Sequence, residues 1–154
     1  YPVSFVGARY GKRPVVLDQL RSKGINVVAF GNGWPAGPLD TEEMVKTYSR
    51  SKINLGFSSV GSHEDLHCLK GRDFEITMSG GLYLTEHHEE LSNFFRIGKE
   101  ILTWNTVNEL ADKIQFLLSN DKLCADISSE CLRKSREKHS WQSRIGSIID
   151  LLRN

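Results

Sequence analysis

Apolar positions along the chain switch repeatedly between the periods of a strand and a helix. Val3, Phe5 and Val6 form a short apolar run that ends in Gly7, and Val16, Leu17 and Leu20 then share one face of a helix expected over Arg13 to Lys23. Ile25 to Phe30 is a second run, closed by the breaker-rich GNGWPAGP, after which Asp40 or Thr41 can cap a helix that gathers Met44, Val45 and Tyr48. Ile53, Leu55 and Phe57 alternate with Asn54 and Gly56 as a third strand. Beyond a polar loop, a helix is expected from Arg72 to Ser79, stopping at Gly80 and Gly81. A strand at Leu82 to Thr85, a short helix through Leu91, Phe94 and Phe95, and a strand at Glu100 to Trp104 follow.

The last third reads as helical throughout. Val107, Leu110, Ala111, Ile114, Leu117 and Leu118 hold the helical period, Asn120-Asp121 interrupts it, and a second helix covers about Lys122 to Lys138. A third helix sets Trp141, Ile145, Ile148, Ile149 and Leu152 on one stripe. Five strands alternating with helices predict the α/β class: a Rossmann-like parallel sheet of about five or six strands with helices on both faces, plus C-terminal helices. With no internal repeat or linker, residues 1–154 read as one domain. Ligands of such sheets sit beyond the carboxyl ends of the strands, which directs attention to the loops after Gly7, Phe30, Phe57 and Thr85.

Charge narrows the partners. The 20 Lys+Arg against 19 Asp+Glu give a net charge of +1, so no global field draws the chain to nucleic acid or to an anionic membrane, and any anion site must be local. No apolar run approaches the roughly 18 to 20 residues that span a bilayer. Cys68, Cys124 and Cys131 form no CxxC pair and fit reduced thiols in a cytoplasmic protein. The chain opens directly on a strand without Met, as a segment of a longer protein would.

Three groups of residues carry candidate chemistry. His63-Glu64-x-x-His67 has the spacing by which a helix offers two imidazoles to zinc with a glutamate as general base. It follows a strand end and Gly61, and the third-ligand pattern is broken because Lys70 stands where a glycine is needed; solvated loop histidines are the plainer reading. His87-His88-Glu89-Glu90 reads as the acidic first turn of a helix. The second group is basic. GARYGKRP places Arg9, Lys12 and Arg13 in the first strand-to-helix turn, and Lys70, Gly71 and Arg72 precede another helix whose first amides are free. Two basic turns at one sheet edge fit a ligand with two or more negative charges, such as a nucleoside diphosphate. The third is Glu75, about one turn inside that helix, which either accepts hydrogen bonds from a vicinal diol such as ribose or pairs with Arg72 or Lys70.

The order FVGARYGKRP, GNGW, YSRSKINL, KGRDFEITMSGGLYLTE, GKEILTW and ELADKIQFLL resembles the C-terminal domain of CgeB-like, group 1 glycosyltransferases, and KHSWQSR resembles that family's ending before its final crossing helix. The resemblance implies a GT-B enzyme of two Rossmann-like domains, of which this chain is the donor-binding half and the N-terminal acceptor domain is missing. It implies that Glu75 binds the ribose hydroxyls of a nucleotide-sugar donor, that the amides around Lys70, Gly71 and Arg72 hold the diphosphate, and that Arg13 or Lys12, with Arg9 second, stabilises the departing phosphate. Loops near Asn32 to Trp34 and Ser58-Ser59 would flank the base. Relatives keep a sugar-facing glutamate eight residues before the ribose one; His67 stands there in this chain. A retaining, metal-independent transfer without a cofactor is implied. The alternatives are a nucleotide-binding module of the same fold without catalysis, and a zinc hydrolase built on His63 and His67.

Overall fold

The computed structural model describes residues 1–61 and 63–153. Its elements run β1 (Val3–Val6), α1 (Arg13–Ser22), β2 (Val28–Phe30), α2 (Thr41–Arg50), β3 (Ile53–Gly56), β4 (Ser59–Val60), β5 (His63–His67), α3 (Gly71–Met78) and β6 (Tyr83–Glu86). A 3-10 helix (Glu89–Asn93) leads to β7 (Leu102–Trp104), then α4 (Val107–Leu118), α5 (Asp121–Lys138) and α6 (Trp141–Arg153). Five strands form one parallel sheet in the order β2-β1-β3-β6-β7, the Rossmann-like arrangement expected from the alternating periods. The chain leaves β1 for the β2 edge and returns to β3 on the other side of β1. Loops leaving neighbouring β1 and β3 therefore diverge to opposite faces, and a crevice opens between them at the carboxyl edge.

Each face of the sheet has its own core. Val16, Leu17 and Leu20 of α1 and Leu110, Ile114 and Leu117 of α4 pack on Val3, Phe5, Leu55 and Leu84. On the other face Tyr48 of α2, Ile76 of α3 and Cys131 of α5 meet Tyr83, Phe95 and Ile101. Burial pushes the Cys131 thiol up to about 11. A buried amide ties the layers together: Asn54 accepts from Ser4 Oγ at 3.0 Å and donates from Nδ2 to the carbonyls of Tyr48 and Leu82 at 3.0 and 3.3 Å. It links β1, β3, the end of α2 and the entry to β6.

Two expectations change, and one predicted stripe is found uncovered. Ile25 and Val27 are buried, but only Val28 to Phe30 joins the ladder, so β2 is half the length of its apolar run. The segment after β3 is not a plain loop: β4 and β5 pair as an antiparallel hairpin. The stripe on α6 exists but no α6 residue is buried; Trp141 is 79% and Leu152 82% exposed. Among the described residues, no helix is long and apolar enough to cross a membrane.

The corner between α5 and α6 is closed by His139. Its ring packs against Phe74, Phe94 and Phe95, and its Nε2 lies 3.1 Å from the carbonyl of Phe94. Burial lowers its proton affinity below the ordinary 6.5. Below that value the unfolded chain binds more protons than the folded one, so the contribution is complete above pH 6.5 and declines as pH falls toward the folded value. Thermal denaturation followed between about pH 8 and 5 should show stability falling with acidification, and His139→Gln should flatten that slope. An unchanged slope would show that His139 does not carry it.

Candidate functional site

Gly7 ends β1, and its lack of a side chain decides what crosses the strand end. A Cβ there would lie 2.5 Å from Arg72 Nη2 and 2.9 Å from the Phe5 ring. Arg72, in the first turn of α3, instead lays its guanidinium over Phe5 with 5.2 Å to the ring centroid. Arg13, the first residue of α1, reaches the same ring at 5.4 Å and Phe57 at 5.9 Å. One aromatic side chain thus supports two cations brought from opposite faces of the sheet.

Arg13 is 1% exposed. Its Nη1 donates to the carbonyl of Ala8 at 2.8 Å, its Nη2 donates to Tyr10 Oη at 2.7 Å, and the Tyr10 ring stacks 3.8 Å from the guanidinium carbon. Burial, and after it the charge of Arg72, pulls the Arg13 pKa down from its ordinary value. Arg13 Nε and Arg72 Nη1 are buried without a hydrogen-bond partner. Among the described residues neither guanidinium has a carboxylate partner, an arrangement that leaves room in the energetics for an external anion.

The other basic residues of the two turns have different duties. Lys12 forms an ion pair with Glu86, buried at the end of β6, and the second Glu86 oxygen accepts the Ser58 amide at 3.1 Å. This pair ties the β1 and β3 exits to β6 and commits the Lys12 charge. Arg9 stacks on Trp34 at 5.6 Å, whose indole N–H donates to the Gly7 carbonyl at 2.8 Å. Gly31, with φ +128°, passes so close that a Cβ would sit 2.5 Å from the Gly7 carbonyl oxygen. The loop after β2 is thereby braced against residues 7–9. Lys70 directs its ammonium to the Ser59 carbonyl at 3.0 Å and Cys68 Sγ at 3.5 Å, toward the hairpin.

α3 opens onto this crevice. Its start is fixed by Asp73, which accepts the Lys70 amide at 2.7 Å and the Tyr83 hydroxyl at 2.5 Å. Burial and the Asp73 charge raise the Tyr83 pKa well above its ordinary value, so the phenol remains a donor. With Lys70 N capped inward, the amides of Gly71 and Arg72 lack partners within the helix and carry its positive end. Glu75 folds back along α3: its Oε1 is 3.1 Å from where a Gly71 Cβ would be. Its carboxylate is exposed, and among the described residues it makes no ion pair with Arg72 or Lys70. A cleft of about 210 Å³ beside it is lined by Gly71, Phe74, Glu75, His139, Trp141 and Arg144.

The histidines belong to the hairpin. His63 and His67 stand on β5, so the helix needed by the zinc reading is not formed, and among the described residues no group of three or more His, Cys, Asp or Glu side chains could hold a metal ion. The side chain of Glu64, the general base of that reading, lies outside the described residues. His67 Nδ1 lies 2.7 Å from Ser58 Oγ, and its ring stacks on the buried His88 with centroids 6.4 Å apart. Burial lowers the His88 proton affinity. Sequence reasoning passed over Tyr10, Asp73, Tyr83 and Glu86. The signal for Glu86 was a charge closing the buried strand YLTE; for Asp73, an acid at the third position of a helix.

A family described as glycosyl transferase-like matches residues 13–150. The chain belongs to that family. No curated protein matches it in sequence. Among solved structures it resembles sucrose-phosphate synthase from Thermosynechococcus elongatus, with 13% identity and a TM-score of 0.74 over 98% of this chain. It resembles Anabaena HepE in complex with UDP (10%, 0.74, 97% of this chain) and TarM (18%, 0.71, 99%). The chain spans 45%, 48% and 35% of those three structures respectively. Its fold is the Rossmann-like α/β fold of the GT-B glycosyltransferases.

In this glycosyl transferase-like domain the geometry of α3 hangs on Asp73. Asp73→Ala would leave the Lys70 amide and the buried Tyr83 hydroxyl unpaired and should destabilise the fold by about 2–4 kcal/mol in urea unfolding. A loss under about 0.5 kcal/mol would show that the start of α3 does not depend on it.

Proposed function

We propose that this chain is the donor-binding domain of a GT-B glycosyltransferase of the CgeB-like, group 1 kind, and that it holds a nucleoside diphosphate sugar at the β1/β3 crevice. The observation that carries the reading is the pair of guanidinium groups on Phe5, two cations with buried unpaired N–H groups and no carboxylate partner among the described residues. A diphosphate supplies two adjacent anionic groups of the kind that guanidinium groups hydrogen-bond. The open amides of Gly71 and Arg72 add a third donor set at the helix end. Glu75, exposed and unpaired, accepts from the ribose diol. The UDP in the structurally similar HepE agrees with this class of ligand.

Transfer breaks the bond between the anomeric carbon and the diphosphate oxygen and leaves negative charge on the diphosphate. Arg13, Arg72 and the α3 amides are fixed before the reaction, and their attraction grows as that charge develops, so they stabilise the transition state more than the bound donor. In this reading the cation for the departing phosphate is Arg13, with Arg72 beside it; Lys12 positions the loop through Glu86. His67 faces the transferred sugar from the hairpin, Lys70 and Gly71 shape the diphosphate turn, and Arg9 braces the loop around Asn32 to Trp34 against the base. By the same resemblance transfer retains configuration, uses no metal or cofactor, and takes place in the cytoplasm. The acceptor belongs to a second, N-terminal domain. The apolar stripe of α6, uncovered here, is the surface this domain offers to it.

Calorimetric titration in EDTA with UDP, GDP and ADP should find at least one ligand bound more tightly than about 1 mM. Glu75→Ala should weaken it about tenfold or more, through two lost charge-assisted hydrogen bonds. Absence of any such binding would sink the donor-site reading. The chain alone should transfer little sugar from the preferred donor to added acceptors; ready transfer by it would contradict the two-domain reading.

A further inference from the structure

Arg13 cannot be reached by a ligand in the arrangement just described. It is 1% exposed, whereas Tyr10 above it is 36% exposed, so the aromatic ring is the outer layer and the cation the inner one. The three nitrogens of Arg13 differ in what holds them. Nη1 is held by the main-chain carbonyl of Ala8, Nε has no partner, and Nη2 is held by a phenolic oxygen on a side chain at the surface. Tyr10 lies outside any helix or strand, between β1 and α1. The next residue, Gly11, has φ +56°, and a Cβ there would come within 2.7 Å of the Gly61 carbonyl oxygen, so the turn runs bare against the β4–β5 connection. A side chain on such a turn can leave without disturbing the core.

We propose that Tyr10 occupies, in the free protein, the place on Arg13 that a phosphate oxygen of the donor takes, and that the nucleotide enters by exchanging phenol for phosphate. This rests on the donor-site reading above and deepens it. The exchange is downhill for a physical reason. A phenol offers a neutral acceptor to Nη2, while a phosphate oxygen offers a charged one, so the exchange adds the attraction of an ion pair to the hydrogen bond. Until then the phenol partly satisfies a buried cation that would otherwise face its desolvation penalty alone. Tyr10 is in this sense a positioning residue, acting through Arg13.

The test compares wild type and Tyr10→Phe in calorimetric titration with UDP, GDP and ADP, and follows phenylglyoxal modification of Arg13 by mass spectrometry in wild type and Tyr10→Ala. Tyr10→Phe keeps the stacked ring but has no hydroxyl to displace, so it should bind the preferred nucleotide about three- to tenfold more tightly than wild type. A purely structural role would weaken binding or leave it alone. Tyr10→Ala should expose Arg13 to modification several-fold faster than in wild type, and added nucleotide should suppress the gain. Equal or weaker binding by Tyr10→Phe, when wild type binds, overturns the exchange and leaves the donor site standing. Modification of Arg13 no faster in Tyr10→Ala overturns it independently. Failure of wild type to bind any nucleoside diphosphate overturns the donor-site reading and the exchange together.

Discussion

Two like charges held against one phenyl ring are the constraint around which this domain is arranged. Arg13 and Arg72 repel each other, and part of their N–H groups are buried without partners. Bringing them together costs free energy, and the rest of the fold must hold them there. α1 delivers Arg13 from one face of the sheet and α3 delivers Arg72 from the other. The topological switch between β1 and β3 is what allows two helices on opposite faces to start at one point of the edge. Phe5 at the end of β1 supplies the shared surface, and Gly7 keeps the passage over it clear.

The surrounding polar groups serve rigidity more than direct contact. Asp73 and Tyr83 set the first turn of α3; Glu86 and Lys12 join three strand exits; Trp34 and Gly31 bind the β2 loop to Gly7. Each of these ties runs between elements far apart in sequence. The leaving-group pocket we propose needs this kind of support, because donors that must reorient during the reaction lose much of their electrostatic value.

Strands buried on both faces wrote themselves plainly into the chain. Val3 to Val6, Ile53 to Phe57 and Leu82 to Thr85 could hardly be read otherwise, and the helices with caps at Asp40 and Thr106 matched their apolar stripes. The hairpin escaped because HEDLH lacks an apolar face, so its pairing leaves no periodic trace. Within the site, the two basic turns were legible as neighbours of one edge, and so was Glu75. Which cation is free was not. Lys12 and Arg13 are adjacent and alike in sequence, and what separates them is a carboxylate 74 residues away. Tyr10 was hidden for a related reason: the role we propose for it depends on lying over Arg13, a matter of side-chain direction that spacing does not encode. The α6 stripe was read correctly as a pattern, but a pattern alone does not say whether anything covers it.

The Lys12–Glu86 pair also divides the work between two neighbouring cations. By committing Lys12 to a carboxylate it leaves Arg13 and Arg72 as the cations on Phe5 without a carboxylate partner among the described residues, so the crevice presents guanidinium groups rather than an ammonium. If the ligand is the diphosphate we propose, it meets two planar donor forks, which fix the direction of a phosphate as well as its charge. That choice of donor would then originate in a glutamate that touches no phosphate.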